Sequence, residues 1–123
     1  MYLKSHSKVM PENYKISDEF HALLEKMAAT DQVSVVVLAS EPEGLEEALA
    51  EVSSQRTFDR TKIIYPLYRE SLVPITEYCE ERDIRYDINI AMRSVFAVPT
   101  VEQVRELAKQ DYVLGIMENQ RVY

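Results

Sequence analysis

The side chains able to do chemistry are few and scattered. Two histidines, His6 and His21, and a single cysteine, Cys79, occur in 123 residues. A metal site draws three or four His, Cys or carboxylate ligands from short, recurring spacings. These three residues share no such spacing, so no metal ligand set is expected. A cysteine nucleophile needs a base beside it. Cys79 instead falls on the inner stripe of a helical pattern and reads as a small buried hydrophobe. Carboxylates are plentiful, but they gather on helix exteriors, as Glu43, Glu46, Glu47 and Glu51 do. They do not converge from different elements. The expectation is no catalytic residue, no cofactor and no enzyme.

Composition removes further classes. Only Gly44 and Gly115 are available as glycines, so the glycine-rich loops that cradle phosphate in Rossmann and Walker sites cannot be built. A formal charge of −7 repels the phosphate backbone, which argues against a nucleic-acid partner. One cysteine permits no intrachain disulfide, and that usage suits a reducing compartment, here expected to be cytoplasmic. The opening "MYLKSHSKVM" lacks the apolar core of a signal peptide. No run approaches the roughly 18 apolar residues of a membrane-spanning helix, so no membrane partner is expected.

The elements follow from periodicity. Phe20, Leu23, Leu24 and Met27 lie at helical spacing behind Ser17, a suitable N-cap. "QVSVVVLAS" is a continuous β-branched run, short enough for a strand and apolar enough to be covered on both faces. Leu45, Ala48, Leu49 and Val52 mark a helix, for which Ser40 and Glu43 offer a capping box. "TKIIYPLY" reads as a strand that Pro66 ends or confines to an edge. "SLVPITEYCEERD" reads as a helix capped by Ser71, with Pro74 in its first turn. "IRYDINIAM" alternates, with Ile84, Tyr86, Ile88 and Ile90 on one side and Arg85, Asp87 and Asn89 on the other. After a turn near Arg93, "SVFAVP" is a strand. Thr100 and Gln103 form a second capping box ahead of Val101, Val104, Leu107 and Ala108, and "DYVLGIMENQRVY" is the last strand.

From residue 61 the order is β-α-β-β-α-β, a ferredoxin-like α+β unit: an antiparallel sheet with helices on one face. An extra helix and a β-α pair precede it, and "VSVVVLAS" is expected as a fifth strand of the same sheet. The division is a flexible arm over 1–15, an α-β-α extension over 16–60 and the ferredoxin-like unit over 61–123, packed as one domain with the extension. This architecture hosts many functions. An RNA-binding version needs strand aromatics, for which Phe96 is one candidate against the wrong charge. A metal-carrying version needs a C-x-x-C loop, and an acylphosphatase-like version needs a glycine cradle; both are absent from the sequence.

The stretch "SVFAVPTVEQVRELAKQDYVLGIMENQRVY" resembles the subtilisin propeptide and proteinase-inhibitor family. Phe96-Ala97-Val98 matches its third strand, Thr100 to Leu107 its second helix, Asp111-Tyr112-Val113 the turn, and Gly115 to Asn119 the exit of its last strand. The likeness extends more loosely over residues 61–123. It implies an inhibitor or folding chaperone of a subtilisin-like serine protease. In that family the open sheet face packs on two protease helices, and the extended C-terminus lies in the substrate cleft. Carried onto this chain, Asn119, Gln120, Arg121, Val122 and Tyr123 form the protease-binding tail, and Arg85, Asp87, Asn89 and Glu118 the sheet-face contacts. Three departures stand out. The tail stops about two residues short of the usual terminus, Met117 and Asn119 flank Glu118 where the family places acids, and the first 60 residues have no counterpart. Two other classes of function fit the same pattern: an assembly domain forming a homo-oligomer through the sheet and the "VSVVVLAS" strand, and a small-ligand sensor.

Overall fold

A computed structural model describes residues 15–52 and 57–119. Eight elements follow in order: α1 (Asp18–Glu25), β1 (Val35–Ala39), α2 (Leu45–Val52), α3 (Thr57–Glu81), β2 (Tyr86–Asn89), β3 (Ser94–Ala97), α4 (Val101–Ala108) and β4 (Val113–Glu118). The fold is α+β; the described residues form four helices and one open four-stranded antiparallel sheet in the order β2-β3-β1-β4.

The largest departure from expectation is α3. "TKIIYPLY" is not a strand but part of a 25-residue helix that continues through both Pro66 and Pro74. Each interior proline forgoes one backbone hydrogen bond, at a cost of about 3 kcal/mol. What holds the helix together is a stripe at steps of four, four, three and four: Ile64, Tyr68, Leu72, Ile75 and Cys79, all buried except the half-buried Tyr68. Ser71 is therefore no N-cap; its hydroxyl donates to the Tyr68 carbonyl at 2.6 Å. With one strand gone, the sheet has four members rather than five. The run "VSVVVLAS" becomes β1, held between β3 and β4. A boundary at residues 60/61 would fall inside α3, and β1, which precedes it, pairs with strands that follow it.

Other local signals act as their chemistry dictates. Ser17 accepts from the Phe20 N–H at the start of α1. Thr100 and Gln103 close a reciprocal capping box on α4. The next free N–H groups of that helix are also taken, Val101 by the Asp31 carbonyl at 2.9 Å and Glu102 by that of Ala29 at 3.1 Å. The Ser40/Glu43 box does not form. Gly44 takes a left-handed φ of 81° before α2, and the Ser40 hydroxyl donates instead to the Asp111 carbonyl at 2.8 Å. At its far end α3 stops on Asp83 at φ 59°. Ile84 N–H then donates to Cys79 O and Asp83 N–H to Glu80 O, the paired bonds of a Schellman stop. That stop turns Ile84 into the core and releases Arg85 onto the sheet.

One core joins these pieces. Val35, Val37, Val95, Ala97, Val113 and Ile116 face Leu72, Ile75 and Cys79 of α3 and Val104, Leu107 and Ala108 of α4. Phe20 and Leu24 of α1 join the same cluster. Ile16 bridges to Ile116 in parallel, and the Lys15 ammonium donates to the Gln110 carbonyl at 2.7 Å, so the chain is pinned beside β4 from residue 15. The rest of the expected arm lies outside the described residues. A smaller cluster of Leu45, Ala48 and Ile64 holds α2 on the first half of α3. Among the described residues, no helix is long and apolar enough to cross a membrane.

Candidate docking face

Side chains alternate along a strand, so the sheet has a back toward the helices and a front away from them. Register assigns the front in rows. Asp87, Phe96, Val36 and Met117 lie across one row, and Asn89, Ser94, Leu38 and Gly115 across the next. One step further along the register come Arg85, Val98, Ser34 and Asn119, tied by Val98 N–H to Arg85 O at 3.1 Å and Asn119 N–H to Ser34 O at 2.9 Å. Val36, Leu38 and Phe96 are half-buried, while Met117 is 49% exposed. None of these front residues belongs to the hydrophobic core under the helices, although Ser94 is fully buried and its hydroxyl finds no partner among the described residues. The face carries apolar side chains at Val36, Leu38, Phe96 and Met117 and a polar end at Arg85, Ser34 and Asn119.

Of the residues expected on this face, Arg85 and Asp87 are exposed on it and Asn89 is half-buried, its carbonyl oxygen accepting from Met92 N–H at 3.3 Å. Glu118 is corrected. It pairs with Val35, whose side chain is buried under the helices, so Glu118 belongs to the back. The cause is a bulge near Leu114: opposite Leu38 and Ala39 the register slips by one residue, which lets both Val113 and Ile116 face inward. Of the expected tail, Asn119 is the described member, held to Ser34 through both backbone and side chain, with Nδ2 donating to Ser34 Oγ at 3.2 Å. Gln120, Arg121, Val122 and Tyr123 lie outside the described residues.

A cleft of about 210 Å³ opens at the polar end of the front, between Arg85, Asp87, Phe96, Val98, Ser34 and Asn119. Three expected residues, Arg85, Asp87 and Asn119, thus meet at one place. Ser34 and Val98 escape a reading of one strand at a time, because only register brings them there. Asp87 has a second role. Its Oδ1 accepts from Ile88 N–H at 3.0 Å, on β2, which among the described residues is an edge strand paired with β3 alone. A charged side chain bonded to an edge N–H discourages edge-to-edge pairing.

The helix side holds a different kind of surface. Between the ends of α3 and α4 lies a polar groove of about 460 Å³. Tyr78 donates to Glu106 there, and the Arg82 guanidinium stacks 3.7 Å from the Tyr78 ring centre with Nε 3.8 Å from Glu106. Burial first, then the Glu106 carboxylate, pushes the Tyr78 hydroxyl well above its ordinary range. Burial also pushes the Cys79 thiol up to about 11. At neutral pH both stay protonated, so the thiol lacks the thiolate character of a nucleophile. His21 sits between α1 and α4, with Nδ1 3.1 Å from Arg105 and Nε2 3.4 Å from Glu25. No group of three His, Cys or acidic residues placed to hold a metal occurs among the described residues. These contacts lock helices together. Compared with protein-family models, curated proteins and solved structures, the chain matches none.

Proposed function

We propose that this chain is an inhibitor-like protein that docks on a subtilisin-type serine protease. The front of the sheet is the platform, and the segment after Asn119 is the part that enters the substrate cleft. The observation that carries this reading is the pairing of a sheet face bearing apolar side chains with a last described residue, Asn119, that is fixed at its polar end. Because Asn119 is still bonded to Ser34, the tail begins ordered. A chain that leaves a rigid sheet loses less entropy on joining a partner's edge than a loose peptide does.

With α2 set aside as an insertion between β1 and α3, the order β1-α3-β2-β3-α4-β4 supports a ferredoxin-like reading, with β1 in the place first given to "TKIIYPLY". The same order is what the family resemblance implies. The two helices that pack on the strands, α3 and α4, lie behind the sheet, and α1 joins the core on that side; on the front, Arg85, Asp87 and Met117 are exposed, and Val36 and Phe96 are half-buried. The lone buried Cys79 suits a reducing compartment such as the cytoplasm.

Titrating the chain into a subtilisin assay tests the proposal. Excess protein slows substrate turnover, and removal of residues 119–123 abolishes the effect. Equal inhibition by the truncated chain removes the tail from the mechanism; no inhibition by either form removes the docking reading. The half-buried Val36, Leu38 and Phe96 also suit a second copy of the chain on the same face, in a non-catalytic assembly. Light scattering separates the two, since assembly requires an oligomer at micromolar concentration.

A further inference from the structure

The cleft at the polar end of the front is richer in donors than in acceptors. The Arg85 guanidinium, exposed on this face, has no ion pair with any described residue. Ser34 Oγ accepts from Asn119 Nδ2, which leaves the Ser34 hydroxyl proton and the second Asn119 amide N–H to donate. On the acceptor side, one oxygen of Asp87 is already held by Ile88 N–H. Phe96 and Val98 supply an apolar wall. The volume, about 210 Å³, equals that of roughly seven liquid waters, room for one side chain.

We propose that this cleft receives a carboxylate side chain, that of a glutamate presented by the docked partner, with Arg85 as its counter-ion. The two methylenes lie along Phe96 and Val98, while the carboxylate takes the planar fork of Arg85 and the Ser34 and Asn119 donors. An arginine fork matches a carboxylate in two parallel hydrogen bonds, which fixes orientation as well as charge. The neighbouring Asp87 charge disfavours a ligand with more than one negative charge and so selects a carboxylate over a phosphate. On the partner, the surface that meets this cleft then presents a glutamate opposite Arg85. The proposal deepens the docking reading and rests on it for the identity of the partner, but not for the chemistry of the cleft.

The test uses the full chain labelled with nitrogen-15 and two probes, acetyl-glutamate N-methylamide and its glutamine analogue. Expected are saturable shifts of the Arg85 Nε, the Asn119 side-chain amide and the Ser34 amide with the glutamate probe. Binding of the glutamine analogue is weaker by about tenfold, the loss of one charge-assisted contact. Arg85→Gln lowers affinity for the glutamate probe to the glutamine level without disturbing the remaining spectrum, and Arg85→Lys falls between. Indistinguishable probes, or unchanged glutamate binding by Arg85→Gln, overturn the proposal. In the subtilisin assay, wild-type inhibition that Arg85→Glu leaves intact also overturns it. Absence of wild-type inhibition instead sinks the docking reading, and the titration still judges the cleft.

Discussion

The two faces of this sheet use the same strands for opposite purposes. On the back, Val35, Val37, Val95, Ala97, Val113 and Ile116 are at most 2% exposed and meet two helices. On the front, their immediate neighbours Val36, Phe96 and Met117 are nearly as apolar in type but remain half-buried or exposed. A β-branched run such as β1 is thus more apolar than a sheet with one covered face requires. The back accounts for stability. The front carries apolar side chains that this core does not use, and the docking proposal rests on them.

The largest expected difference comes from truncation on each side. Ile75→Ala or Leu107→Ala, both at fully buried positions, should lower unfolding free energy by about 2–5 kcal/mol in urea melts. Met117→Ser on the front should change stability by less than about 1 kcal/mol. The same front substitution should weaken protease inhibition by about tenfold or more, as loss of a central contact does. A large stability loss from Met117→Ser would erase the distinction between the faces.

A smaller effect probes the back by pH. The Cys79 thiol, ordinarily near 9.0, is raised by burial to about 11. Above the unfolded value the unfolded chain releases this proton while the folded chain keeps it, so stability is present below about pH 9 and falls as pH rises toward 11. Tyr78 acts in the same direction above its own ordinary value. Integrated over that interval, the thiol contributes at most about 3 kcal/mol. Denaturant midpoints should decline in this window, and Cys79→Ala should flatten the decline. An unchanged slope in that variant would mean that the thiol is not sealed from water.

The smallest effect lies at the edge. Asp87→Ala frees the Ile88 N–H and should barely alter the melting temperature. It should, however, raise concentration-dependent association, read by light scattering, because an unblocked edge N–H invites another strand. A variant that associates no more than the wild-type chain would reduce Asp87 to a surface charge.

Legibility in the sequence followed the range of the interaction. The caps at Ser17 and Thr100 and the stripe on α4 are local, and they form as read. The first half of α3 was misread because Ile63, Ile64 and Tyr65 beside Pro66 mimic a strand end over eight residues. The helical stripe from Ile64 to Cys79 emerges only over sixteen. Ser40 failed as a cap because α2 begins only at Leu45, which puts Gly44 at the cap position, and its hydroxyl donates to the distant Asp111 carbonyl. At the docking face, alternation alone was enough to place Arg85 and Asp87. Ser34 and Val98 needed the register, and a period of two cannot register the bulge that sends Glu118 to the back.

The central claim is that the partner covers the front and not the back. Met117→Cys places a thiol on the front, and Glu77→Cys places one on the helix side, where Glu77 is exposed beside the polar groove; the native Cys79 is buried. Labelling rates for each variant, measured with and without excess subtilisin-type protease, decide the matter. The account predicts strong slowing at position 117 and an unchanged rate at position 77. Equal rates at position 117 with and without protease, or protection at position 77 instead, would contradict it.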